Sequence, residues 1–162
     1  MLQVHNLHKS YGITTVLAGI SLIVNDGEVK QLTDEPNLVR AARAVMELGP
    51  RVVVVKQGEY GSAMYTPEGV FGLPAYPTAD VVDPTGAGDT FAGGFVGYVA
   101  AHPGEQVDHE LLSRAMAYGT ALASFNVEEF GTERVRRLTR DEIDERFEEF
   151  RSMTTLEAAA RS

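Results

Sequence analysis

The sequence predicts an α/β fold built on a largely parallel sheet, and three stretches carry that expectation. Val52-Val53-Val54-Val55 is an unbroken β-branched run, the pattern of a strand buried on both faces. Val81-Val82 reads as the end of another buried strand and leads directly into the glycine-rich turn Gly86-Ala87-Gly88. Beyond that turn Phe91, Phe95 and Val99 recur every fourth residue, which marks one face of a helix. Strand and helix signals alternate along the rest of the chain, as in successive βα units.

Bulk composition narrows the function classes. With 162 residues, 44% of them hydrophobic, the chain can build one domain with its own core. Its formal net charge is −9, from 23 acidic and 14 basic residues, which argues against a nucleic-acid partner. There are no cysteines, so disulfides and thiolate metal sites are excluded. The N-terminus lacks a signal-peptide layout, and the apolar run near Val16 to Val24 is too short to span a bilayer. The expectation is a cytoplasmic protein with no membrane partner.

Taken in order, Val4 to Gly12 followed by Val16 to Leu22 resembles the opening hairpin of an ABC-transporter ATPase. In that family an aromatic such as Tyr11 stacks on adenine. The Gly27-Glu28 pair that precedes the family's phosphate loop is present, but no GxxxxGK[ST] follows it, so an ABC ATPase is ruled out. Tyr11 and His8 then read as hairpin surface. Residues 1–24 are expected to be a foreign or fused piece, joined within the hexamer Val24 to Val29.

Asn25-x-x-Glu28 follows a strand end and is either a polar turn or a pair of hard oxygen donors. Pro36 to Leu48 is expected to be a helix, capped by Asp34 or Glu35, ended by Gly49, and burying Leu38, Ala42 and Val45. Arg40 and Arg43 on it read as solvated. The Val52–Val55 strand ends in Lys56-Gln57-Gly58-Glu59-Tyr60-Gly61, an ordinary turn with a surface lysine or a backbone contact to a ligand. Ala63-Met64-Tyr65 and Val70-Phe71-Gly72-Leu73, around Thr66-Pro67-Glu68-Gly69, form a hairpin.

The helix from Thr85 carries Gly93, Gly94 and Gly97, for which close packing is the expected reason, and His102-Pro103-Gly104 ends it. His102 and His109 have no convergent partners and read as surface. Asp108 caps a second helix to about Phe125, with Leu111, Ala115, Tyr118 and Leu122 on one face. Asn126 can cap its end. Thr139-x-x-Glu142 is a capping box opening a last helix with Ile143, Phe147 and Phe150 inward and a solvated acidic face. Residues 153–162 are expected to fray.

The turn itself is the chemical centre of the chain. Glycines at a helix N-terminus offer free amides and the positive end of the helix dipole, an anion site. Asp89 falls in the first helical turn. As a dipole partner it needs no chemistry; beside an anion it suits a base that takes a proton from an attacking hydroxyl.

The whole run from Val82 to Phe95, VDPTGAGDTFAGGF, resembles the C-terminal signature of the ribokinase-like family, the PfkB carbohydrate and nucleoside kinases. The resemblance spans about residues 23–150, with the nucleotide-binding and catalytic portion at 25–152, and corresponds to the C-terminal half of such a kinase. It implies a ribokinase-like three-layer αβα fold, present in part. It implies ATP and Mg²⁺ as cofactors, with K⁺ as a candidate, and a small sugar or nucleoside as the second substrate. It implies Asp89 as base, with Gly86, Ala87 and Gly88 as the anion hole. Asn25, Lys56, Gly58, Gly61, Gly88 and Asn126 would contact the nucleotide; Asn25 and Glu28 would hold Mg²⁺ through water; Asp83 would lie beside a monovalent cation. A nucleotide-binding remnant or fusion product without turnover is the competing expectation, and an interaction module a third. The oligomeric state and the particular sugar or nucleoside are not readable from the sequence.

Overall fold

The computed structural model of the chain describes residues 9–11, 14–17 and 21–155. Strands β1 (Lys9–Tyr11) and β2 (Thr14–Leu17) form an antiparallel two-stranded sheet. The main sheet has four strands, β3 (Ser21–Asn25), β4 (Val52–Lys56), β5 (Ser62–Thr66) and β6 (Gly69–Leu73), in the order β3-β4-β5-β6. β3 and β4 are parallel, whereas β4–β5 and β5–β6 are antiparallel. The sheet is therefore mixed rather than largely parallel. The cause is local: the short turn after β4 sends β5 straight back, and β6 completes the expected hairpin, so only β3 and β4 are joined by a helical crossover.

Helices cover both faces, giving the three-layer αβα arrangement. The alternating side chains of β4 divide between two cores. Val53 and Val55, with Tyr65 of β5, meet Val29 of α1 (Asp26–Thr33) and Ala41, Ala42 and Val45 of α2 (Leu38–Glu47). Val54 and Met64 face the opposite way, onto Phe91, Phe95 and Val99 of α3 (Ala87–Ala101) and Leu111, Ala115 and Met116 of α4 (His109–Asn126). A short helix α5 (Glu133–Arg136) leads to α6 (Arg140–Thr154), whose Phe150 joins the second core. Among the described residues no helix is long and apolar enough to cross a membrane.

Several local expectations are corrected. Val81 and Val82 form no strand and are 57% and 47% exposed; the Val82 amide donates only to the Val127 carbonyl, at 2.8 Å. Helix α1 replaces the polar turn at Asn25: the Asn25 side chain accepts from the Glu28 amide at 2.7 Å, and Glu28 accepts from the Asn25 amide at 2.8 Å, a capping box. Helix α2 is capped by Asn37, not by Asp34 or Glu35, and Glu35 instead pairs with Arg40 at 2.9 Å. Of Gly93, Gly94 and Gly97 only Gly94 packs closely, its notional Cβ lying 3.0 Å from the Gly119 Cα; Gly93 and Gly97 have nothing within 4 Å. His109 meets the Thr66 hydroxyl at 3.0 Å and the edge of Phe71, and His102 stacks on Tyr98, so neither is bare surface. The segment beyond Thr155, most of the expected frayed tail, lies outside the described residues, as does His8.

Candidate functional site

Two parallel strands ending side by side create the floor of the site. Asn25 and Lys56 are register partners at the C-terminal ends of β3 and β4. This is the sheet edge where open α/β folds present their ligand-binding groups. From there Lys56 extends to the first turn of α3, where its Nζ lies 2.6 Å from the position that a Cβ on Gly88 would occupy. Any side chain at Gly88 would displace that ammonium group.

The turn preceding α3 is closed by its own residues. Asp83 Oδ1 accepts from the Thr85 amide at 2.9 Å, and the Ala87 amide donates to the Pro84 carbonyl at 3.2 Å. Gly86 then adopts the left-handed conformation, φ 83°, and the helix begins. Among the described helices of eight residues or more, α1, α2, α4 and α6 are capped by the side chains of Asn25, Asn37, Asp108 and Thr139; α3 has no side-chain cap. Among the described residues the amides of Gly86, Gly88 and Asp89 donate to no protein acceptor. Ala87 departs from the expected anion hole, because its amide is committed to the turn.

The charges around these amides are also unmatched. Within the described residues Lys56 and Asp89 form no ion pair. Lys56 is half-buried, and its positive charge stands at the positive end of a helix dipole. Asp89 is exposed and open to an incoming group. Among the described residues, neither the free amides of α3 nor the Lys56 ammonium has an anionic partner.

Other predicted residues take different places. Asn126, expected beside a nucleotide or as a helix cap, is 1% exposed; its Nδ2 donates to the Thr85 carbonyl at 2.8 Å and its Oδ1 accepts from the Thr90 hydroxyl at 3.0 Å. It lies enclosed under the turn. Thr85 and Thr90 were not singled out from the sequence, where the only signal was their flanking of Gly86–Asp89. Gly61 is required by the protein itself: at φ 100° its Cβ would stand 2.0 Å from the Leu73 carbonyl oxygen. Gly58, at φ 57° and with open space around it, begins the 3₁₀ turn Gly58–Tyr60 that lies on the route from β4 to β5. The Thr85 hydroxyl and amide, and then the Gly131 amide, hold the Asp83 carboxyl below the usual carboxylate range.

The loop after α4 supports this turn from behind. Its Val127 carbonyl accepts from Val82 and Asp83, and the Gly131 amide donates to Asp83 Oδ2 at 3.4 Å. Glu128 of the same loop is held by Arg146 at 2.6 Å and Arg134 at 3.2 Å, and the Arg146 guanidinium stacks 3.5 Å over the Phe125 ring. Through Arg146 these contacts anchor α6 to the loop after α4. A separate cleft of about 400 Å³, lined among others by Tyr76, Asp80, Glu128 and Arg146, contains none of the predicted site residues. Among the described residues no three His, Asp or Glu groups converge to hold a metal.

Comparison with known proteins yields kinases. A cytidine kinase of Thermococcus kodakarensis is 39% identical over 95 residues, which is 56% of this chain and 34% of that protein. The aminoimidazole riboside kinase of Salmonella enterica, solved with aminoimidazole riboside and an ATP analog, superposes with a TM-score of 0.69 at 29% identity, over 78% of this chain and 41% of that one. The nucleoside kinase of Methanocaldococcus jannaschii, an archaeal member of the ribokinase family, superposes with a TM-score of 0.61 at 28% identity, over 80% of this chain and 40% of that one. The chain thus spans about a third of the length of such a sequence relative and about two fifths of the solved structures. The family profile matches residues 12–137, so the match begins upstream of Ile23 and inside the stretch that resembles an ABC hairpin. With that profile covering most of the sequence and the uncapped glycine turn at its centre, the chain belongs to the pfkB family of carbohydrate kinases.

Proposed function

We propose that this chain carries the phosphate-handling part of an ATP-dependent kinase that phosphorylates an alcohol group of a sugar or nucleoside. The observation that carries the reading is the combination at α3: a helix N-terminus without a side-chain cap, and a Lys56 ammonium that rests on Gly88 and has no ion-pair partner among the described residues. A terminal phosphate satisfies both at once, since it accepts from free amides and neutralises the lysine.

In this reading the amides of Gly86, Gly88 and Asp89 stabilise charge on the transferring phosphoryl group, a preorganised contribution that is commonly the largest in such reactions. Asp89 accepts the proton of the attacking hydroxyl. Gly58 and the 3₁₀ turn after it provide backbone against the nucleotide. The candidate hard donors for Mg²⁺ are Asn25 and Glu28, which satisfy each other in the capping box through one oxygen each. They suit a metal that keeps most of its waters and arrives with the nucleotide, where it would offset phosphate charge. Asp83, with the carbonyls of the neighbouring turn, is the candidate position for a monovalent cation such as K⁺.

The test is Asp89→Asn in the full chain. Turnover, followed as ADP release across pentoses, hexoses and nucleosides, is expected to vanish while Mg-ATP affinity stays within about threefold. Turnover that survives removes Asp89 from the role of base. A second reading is nucleotide binding without turnover. It predicts calorimetric Mg-ATP binding in the wild type and no ADP release with any acceptor. Absence of Mg-ATP binding defeats both readings.

A further inference from the structure

We propose that Asn126 is the positioning residue of the phosphate turn, bridging its two flanks from below and so fixing where the free amides of α3 point. The inference deepens the phosphate reading above and rests on it.

Asn126 ends α4 and is almost completely enclosed, at 1% exposure. A primary amide is buried at a cost unless both of its ends are bonded. Here one end holds the Thr85 carbonyl and the other the Thr90 hydroxyl, residues 41 and 36 positions away in the chain. Thr85 stands just before Gly86, and Thr90 just after Asp89. One side chain therefore spans the whole anion-binding segment. Both amide atoms lie 3.6 Å from the notional Cβ of Gly86, so the left-handed residue of the turn rests directly on this group.

The chemistry fixes the orientation of the bridge. A carbonyl only accepts, so Nδ2 must face Thr85, which leaves Oδ1 for Thr90 and makes its hydroxyl the donor. Other contacts from the same junction reach only the entrance of the turn: Val127 holds Val82 and Asp83, and Gly131 holds Asp83. Asn126 alone among these reaches past the glycines to α3. The packing of Gly94 on Gly119 keeps α3 on α4 further along, so loss of the amide loosens the turn while the helices stay together.

The experiment uses Asn126→Ala, Asn126→Asp and Thr90→Val in the full chain, with two readouts. The first is amide hydrogen exchange without ligand at Ala87 and Thr90, whose amides bond to Pro84 and Gly86. Asn126→Ala and Thr90→Val are expected to raise exchange there about tenfold, with Val53–Val55 of β4 unchanged. Asn126→Asp keeps an acceptor for Thr90 but loses the donor to Thr85; its protection should return as pH falls and the buried carboxyl takes up a proton it can donate. The second readout is calorimetric Mg-ATP affinity, expected to weaken about tenfold in Asn126→Ala. Unchanged exchange at Ala87 and Thr90, exchange rising equally in β4, or raised exchange with unaltered affinity each overturns the proposal. A wild type that does not bind Mg-ATP defeats the phosphate reading, and the exchange arm still decides whether Asn126 holds the turn.

Discussion

Lys56 and Gly88 are in contact across the mouth of the site: the ammonium nitrogen lies 2.6 Å from where a Cβ on Gly88 would begin. The contact joins the end of β4 to the first turn of α3 and places a cation against the positive end of a helix. That arrangement is unfavourable in the absence of an anion and favourable in its presence. Lys56→Met is therefore expected to leave the ligand-free fold unchanged or to stabilise it by about 0.3–1 kcal/mol. The same change should weaken Mg-ATP binding about tenfold, which thermal melts and calorimetry measure together. Gly88→Ala should behave similarly, because the atom in its way is the mobile end of a lysine rather than backbone. A large loss of stability in either variant would contradict this account of the contact.

Gly61 behaves differently from Gly88. Its left-handed φ of 100° and the Leu73 carbonyl oxygen 2.0 Å from its notional Cβ leave no space that a side-chain movement can create. Gly61→Ala is expected to lose about 2–4 kcal/mol of unfolding free energy in denaturant titrations, from backbone strain and overpacking combined. Gly58→Ala meets no neighbour and should lose only the part due to its φ of 57°.

The packing of α3 on α4 allows a paired comparison. A Cβ on Gly119 would stand 2.7 Å from the Phe91 carbonyl oxygen, whereas Gly93 and Gly97 face open space. Gly119→Ala should destabilise by about 1–3 kcal/mol. Gly97→Ala should stabilise by about 0.5–1 kcal/mol, since alanine is the better helix former. Equal effects at the two positions, read from denaturant midpoints, would show that the helices are not held by the Gly94–Gly119 contact.

The capping box of α6 gives a pH signature. The Thr139 amide, the Arg134 guanidinium and the Thr139 hydroxyl lower the Glu142 carboxyl from 4.5 to about 2. A carboxyl depressed by folding contributes stability above its unfolded value and loses it as pH falls through the folded value. Glu142→Gln should therefore be less stable than the wild type at neutral pH. That gap should narrow below pH 4.5 and close near 2, measured as denaturant midpoints at stepwise pH.

The parts of this fold legible in the sequence are those whose signals are local. The four valines of β4, the Phe91–Phe95–Val99 face of α3, the Asp108 cap and the Thr139–Glu142 box each lie within a few turns of chain, and each forms as expected. Asn25 and Glu28 carried an equally local signal, but the same four letters describe a capping box and a pair of metal donors. The helix they begin buries only Val29, too little to show a periodic apolar face. Val81-Val82 misled for the opposite reason. β-Branched residues favour a strand, yet a strand needs a neighbour to take its hydrogen bonds, and here a single carbonyl at Val127 does so.

By itself the sequence determined the α/β class and the places of its valine strand, helix faces and caps, because spacing and residue type suffice for these. Only the tertiary structure decided that β5 runs antiparallel to β4, that Lys56 rests on Gly88, and that Asn126 is enclosed beneath the turn. Those are relations between atoms far apart in the chain. Which buried donor meets which carbonyl is settled when the core closes, by the requirement that every enclosed polar group find a partner.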